Sequence, residues 1–181
     1  WLNTLPAFLF GMLVVLAPLA LHDEGWSAIS IAVVFFSAGV LEAAIAPFLG
    51  RATDRLGRLL PIRVALAASI VAAAALAAAQ GALLLAVLVA AAWVAFSGFY
   101  TPGMALTSHR AEAVGLAQGL AFGIMNAAWA LGELTGPVLS GALAAAFGDA
   151  VPYLVAAGLC ALTLVATQRV AGTQRARTSA A

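Results

Sequence analysis

Apolar positions along this chain fall in six long runs, about 4–21, 27–49, 61–80, 82–106, 115–147 and 150–170, with polar residues gathered in the short segments between them. An α-helix needs ~20 residues to cross a hydrocarbon core at ~1.5 Å per residue, and each run meets or approaches that length. The runs are rich in Ala and Leu and show no period-two alternation, so they predict helices and not strands. An ionised side chain at mid-membrane costs roughly 2.5–3.5 kcal/mol or more, which places the polar segments in water or among headgroups. The predicted fold class is all-α transmembrane, a six-helix bundle over 1–170 followed by a polar tail over 171–181.

The first run carries Pro6 and Pro18, the second of which is expected to bend its far end. His22-Asp23-Glu24-Gly25-Trp26 then makes a wet turn, with the Trp26 ring as an interface anchor. Gln80-Gly81 is so short that the third and fourth runs must be antiparallel neighbours. The breaker pair Pro102-Gly103 is expected to close the fourth run, leaving His109, Arg110 and Glu112 in a loop. The fifth run is longer than the ~30 Å core requires and is read as one tilted or bent helix, with Gly136-Pro137 as the bend.

Composition agrees: 65% of the 181 residues are hydrophobic and 8% charged, against about 25% charged in soluble domains, and the mean hydropathy is +1.09. Where the charges fall matters more than their sum of +1. All 8 basic residues are arginines. Arg51, Arg55, Arg58 and Arg63 flank the second connection, Arg110 lies in the fourth, and Arg169, Arg175 and Arg177 follow the last run. The other three connections have none, so the positive-inside rule predicts a multi-pass protein of the cell (inner) membrane with both termini cytoplasmic. Cys160 stands alone inside an apolar run as a small packing residue. The chain starts at Trp1 with no basic segment ahead of its first run, which reads as a piece of a longer chain and not as a signal peptide.

The second connection, Gly50 to Arg58, holds Asp54-Arg55 and Gly57-Arg58. Physically, Asp54 can pair with an arginine and cap a helix N-terminus while Arg55 and Arg58 hold headgroups. The spacing of Gly50, Asp54, Arg55, Gly57 and Arg58 resembles the cytoplasmic signature loop of the major facilitator superfamily, departing at Leu59, where a second basic residue is usual. Gly123, Gly132, Gly136-Pro137 and Ser140-Gly141 in the fifth run resemble the glycine-proline motif of that family's proton-coupled antiporters, departing at Ser140. Glycines four apart let helix backbones approach closely, so helix packing is a reading of the same residues. The resemblance implies half of a twelve-helix transporter. Residues 111–119 with Asn126 and Trp129 look like helices ten and eleven, favouring the C-terminal half of a drug/proton antiporter-like permease; the fifth-run motif by itself would suit the first half.

Two carboxylates fall within the runs, Glu42 and Glu133, and such groups face a water-filled cavity, find a partner or stay protonated. Both are candidates for proton coupling; Glu42 is equally a candidate for a structural partnership with an arginine. On the fifth run Gln118, Phe122, Asn126, Trp129 and Glu133 lie within about 80° of arc at ~100° per residue, a stripe that reads as a cavity wall or as interhelical hydrogen bonding. Trp93, Phe96 and Tyr100 form an aromatic stripe on the fourth run. The solute-cavity candidates are therefore Gln118, Asn126, Trp129, Trp93, Phe96 and Tyr100. Aromatic faces with one or two acids suit an amphipathic or cationic organic solute.

No Gly-x-Ser-x-Gly, no histidine pair at ligand spacing and no phosphate-binding glycine loop occurs, so no catalytic residue, metal or cofactor is expected. Topology accounts for the arginines, which leaves nucleic acid without support. The function expected is proton-coupled export of a small organic solute by alternating access. Its partners would be solute, protons, the bilayer and the other six-helix half. A nutrient symporter or uniporter half, and a non-transporting membrane assembly or sensor subunit, are the alternatives.

Overall fold

The computed structural model describes the backbone of residues 1–178 and the side chains of residues 1–168. Among them lie α1 (Thr4–Asp23), α2 (Ala28–Leu56), α3 (Leu59–Ala77), α4 (Ala82–Ser97), α5 (Tyr100–Ala113), α6 (Gln118–Phe147) and α7 (Ala150–Thr178). Taking α4 and α5 together as one interrupted span, 6 segments are long and apolar enough to cross a membrane. No strand occurs among the described residues. Arg169, Arg175, Arg177 and most of the predicted tail lie outside the described side chains, although the α7 backbone runs on to Thr178.

Two boundaries differ from expectation for physical reasons. The charged segment is not a loop from Gly50 onward: α2 continues through it to Leu56, and only Gly57 and Arg58 intervene before α3. The 29 residues of α2 make ~43 Å of helix against a ~30 Å core, so its last turns stand clear of hydrocarbon with their backbone groups still paired. Gly57, at φ +78°, makes the turn that a side chain would resist. Asp54 thus sits in the end of α2 and not at the N-terminus of α3, whose cap is Arg58 without a side-chain bond.

The second difference is the break in the fourth span, which falls at Gly98-Phe99 and not at Pro102-Gly103. Pro102 lies in the first turn of α5, where its missing N–H leaves no bond unmade. Gly98 is required instead by contact with α3, since a Cβ there would stand 3.0 Å from Ala65 Cβ. His109, Arg110 and Glu112 consequently ride on the end of α5, and the connection to α6 is the short stretch 114–117.

Without a hydrophobic drive between helices in lipid, close packing and internal hydrogen bonds must hold the bundle. α1 is the most enclosed span and packs chiefly on α6. Gly132 and Gly136 make that contact possible: a Cβ on Gly132 would strike the Thr4 carbonyl oxygen, and one on Gly136 the carbonyl oxygen of Phe8. Buried Ser69 on α3 donates to Ala65 O at 2.8 Å and reaches Ala95 O on α4 at 3.1 Å. Arg63 donates through Nη2 to the Thr167 carbonyl at 2.6 Å, tying α3 to α7. α2 and α6 leave broad apolar faces uncovered, including Ile29, Val33, Phe36, Leu131, Leu134 and Val138. Lipid or a second bundle is the environment such faces require.

Candidate functional site

Glu42 and Glu133 sit midway along α2 and α6, the depth at which an ionised group is least tolerated without partners. Each has one. Trp93 Nε1 on α4 donates to Glu42 Oε2 at 2.6 Å, and Trp129 Nε1 donates to Glu133 Oε2 at 2.9 Å, one turn back along α6. An indole N–H is a donor only, so these bonds are charge-assisted when the carboxylates are ionised.

Phe10 of α1 lies between the two pairs. Its ring centroid is 4.7 Å from Trp93 and 6.1 Å from Trp129, while Tyr100 packs edge-on to Trp129 at 4.7 Å. Phe35 of α2 packs edge-on to Trp93 at 5.7 Å, outside the cavity lining. A cavity of about 360 Å³ is lined by Glu42, Trp93, Tyr100, Trp129 and Glu133, with Phe10, Gly11, Val14 and Pro137 completing the wall. α1, α2, α4, α5 and α6 all contribute, whereas α3 and α7 pack on each other and give it no residue. A second groove of about 300 Å³ between α2, α3 and α4 has an entirely apolar lining and offers nothing to orient a solute.

Of the eight proton-coupling and solute-cavity candidates, the structure brings Glu42, Glu133, Trp93, Tyr100 and Trp129 together and leaves three apart. Phe96 is fully buried in the helix core. Gln118, at the start of α6, accepts from Ser108 Oγ at 2.9 Å and so ties α6 to α5. Asn126 is exposed on the stripe that carries Glu133, but two turns nearer the arginine-bearing end and beyond the cavity. The stripe is simply longer than the cavity is deep.

Among the motif glycines, Gly132 and Gly136 serve the α1 contact, while Gly123 and Gly141 have open space where a Cβ would be. Pro137 is shared between packing and cavity, because a Cβ on Gly11 would meet its Cδ at 2.7 Å. Phe10, Gly11, Val14 and Phe35 carry no polar signature. The one sequence signal available was Gly11, an isolated glycine in mid-helix that marks a close backbone approach. In the charged segment Gly50 is helical and has open space beside it, Asp54 and Arg55 are exposed on the end of α2, and Arg51 lies over the Phe48 ring at 5.8 Å.

No curated protein matches this chain at a significant level. The sequence model of the Major Facilitator Superfamily matches residues 2–180. With six membrane-crossing segments bundled as half of that fold, and a match that spans nearly all of its length, the chain belongs to the Major Facilitator Superfamily, whose members are membrane transporters and not enzymes.

Proposed function

We propose that this bundle is the C-terminal half of a secondary active transporter that exports a small organic solute in exchange for protons. The observation that carries the reading is the mid-membrane cavity in which two carboxylates each accept an indole N–H, with Phe10 between the indoles. A carboxylate at this depth can give up its charge to a proton or balance that of a solute, and the aromatic faces offer apolar and cation–π contact. Glu133 is exposed within the bundle, as suits a cavity wall that a second six-helix half would close.

In this mechanism the halves rock about the midplane site and expose it to each side in turn. Glu133 carries the proton, and its protonation weakens the bond from Trp129. Glu42 is the second proton-coupling candidate. Trp93, Tyr100 and Trp129 contact solute, while Asp54, Arg55 and Arg58 latch the cytoplasmic side. The arginine-bearing ends face the cytoplasm across the inner membrane, with both termini on that side.

The test is transport by the full-length protein in vesicles under an imposed pH gradient, against a panel of organic cations and sugars. Gradient-driven cation movement that Glu133→Gln abolishes is the expected result. Unchanged proton-driven transport in that variant removes Glu133 from the mechanism. Gradient-independent sugar equilibration would mean a uniporter, and no transport of any kind a sensor or assembly subunit.

A further inference from the structure

The chain has 7 prolines, and their places within the helices divide them into two groups. Pro6, Pro61, Pro102 and Pro152 lie in the first turns of α1, α3, α5 and α7, where the N–H they lack would have no partner. Pro18, Pro47 and Pro137 lie inside α1, α2 and α6. An interior proline cannot donate to the carbonyl four residues back, so these three free the carbonyls of Val14, Ala43 and Glu133. Val14 and Glu133 line the mid-membrane cavity, and Ala43 follows Glu42, which lines it too. Each interior proline among the described residues therefore frees an acceptor at or beside the same cavity.

The Glu133 carbonyl is the best placed of the three. A Cβ on Gly11 would stand 3.2 Å from its oxygen and 2.7 Å from Pro137 Cδ, which puts that oxygen at the seam of α1 and α6. Gly11, Glu133 and Pro137 are all cavity wall. Gly11 has no side chain to bond the oxygen. The nearby hydroxyls of α6, Thr135 and Ser140, donate instead to the carbonyls of Leu131, Gly132 and Pro137. At membrane depth an unpaired carbonyl is tolerated where it borders a cavity whose contents can satisfy it. Donors are scarce in this one: both indole N–H groups are spent on the carboxylates, which leaves the Tyr100 hydroxyl. The cavity is rich in acceptors and short of donors.

We propose that the main-chain carbonyl of Glu133 is a solute-binding group, and that the solute is an ammonium ion bearing two or more N–H bonds. The ammonium group donates one N–H to this carbonyl and turns the others to the carboxylates of the cavity, with its alkyl part against Phe10 and the indoles. A quaternary ammonium ion meets the aromatic faces but satisfies no acceptor. The inference rests on this cavity being the solute site, and it holds whether or not Glu133 carries the proton.

Calorimetric titration of the full-length protein in nanodiscs at one fixed pH tests it, with butylammonium and butyltrimethylammonium chlorides as probes of equal chain length. The wild type should bind butylammonium about tenfold or more tightly, since only that ion can donate hydrogen bonds. Pro137→Ala supplies the missing N–H and pairs the Glu133 carbonyl within α6. In that variant butylammonium affinity should fall about tenfold while butyltrimethylammonium affinity stays as it was. Equal affinity of the wild type for the two ions overturns the assignment even if Pro137→Ala fails to fold. An equal loss for both ions in Pro137→Ala would make the proline a matter of cavity shape and overturns it too, as does an unchanged butylammonium affinity. Saturable binding of neither ion also sinks it, while gradient-driven transport of another solute would still leave the exporter reading in place. Conversely, unchanged proton-driven transport in Glu133→Gln removes the proton role and leaves the wild-type preference for butylammonium as expected here.

Discussion

Trp93 on α4 and Glu42 on α2 are joined by a 2.6 Å hydrogen bond from indole N–H to carboxylate, a polar link between two spans at mid-membrane. The link requires both helices to keep their register, so it is a structural tie as well as part of the cavity wall. Trp93→Phe should destabilise the bundle by about 1.5–3 kcal/mol, the range for a hydrogen bond to a charged group. Glu42→Gln should cost less, because the amide oxygen still accepts the N–H without charge assistance. A double-mutant cycle on the unfolding free energy reads the coupling directly. Additive single effects would show that the two side chains do not interact in the membrane.

Trp129 and Glu133 form the corresponding pair within one helix, at 2.9 Å and one turn apart. A pair at this spacing contributes only about 0.2–0.5 kcal/mol to a helix. Trp129→Phe should therefore leave the unfolding midpoint nearly unchanged. If Glu133 carries the proton, the same variant should slow gradient-driven transport about tenfold, as loss of a charge-assisted bond predicts. Transport assays beside unfolding curves separate the two pairs: the Trp93 variant loses stability, the Trp129 variant rate.

The fold was legible in the sequence because lipid leaves few options: long apolar runs must be helices, and the arginine census marks alternate ends. Helix ends were less legible. Gly50 reads as a breaker only if the helix is assumed to stop at the membrane surface, and α2 continues past it. Pro102 reads as a breaker until Gly98 is seen to lie against Ala65, a contact between residues far apart in the chain. For the cavity, helical arcs put Trp129 and Glu133 on one face, but they could not say which neighbour faces it. Phe10 lies on a uniformly apolar helix, where no periodicity distinguishes one phenylalanine from another. Asn126 and Gln118 share the stripe of Glu133 and still fall outside the cavity, because angular position says nothing about depth.

The α1–α6 contact predicts a sharp division among the motif glycines. Gly132→Ala and Gly136→Ala place a methyl group on the backbone of α1 at Thr4 and Phe8. Neither backbone can give way as a flexible side chain would, so a loss of about 1–3 kcal/mol or more is expected. Gly123→Ala and Gly141→Ala meet no atom of this bundle and should be neutral, or stabilising by up to about 1 kcal/mol from helix propensity alone. Thermal unfolding of the four variants of the full-length protein checks this. A loss at Gly123 as large as that at Gly132 would mean that another helix packs on its face.

Phe10 should couple the two indole–carboxylate pairs, since its ring touches both tryptophans and belongs to neither pair. Phe10→Ala removes two aromatic contacts worth about 0.5–1.5 kcal/mol each beyond their buried area, and it widens the cavity beside both carboxylates. The loss should appear mainly in solute selectivity: a wider cavity admits bulkier cations and holds small ones less firmly. Phe10→Leu, which keeps an apolar wall but no ring, should retain most of the stability and still lose the aromatic contribution to cation binding. Competition between a small and a bulky organic cation, measured in both variants, separates cavity size from ring chemistry. If Leu restores the wild-type preference, Phe10 acts only as a spacer between Trp93 and Trp129; if it does not, the ring itself meets the solute.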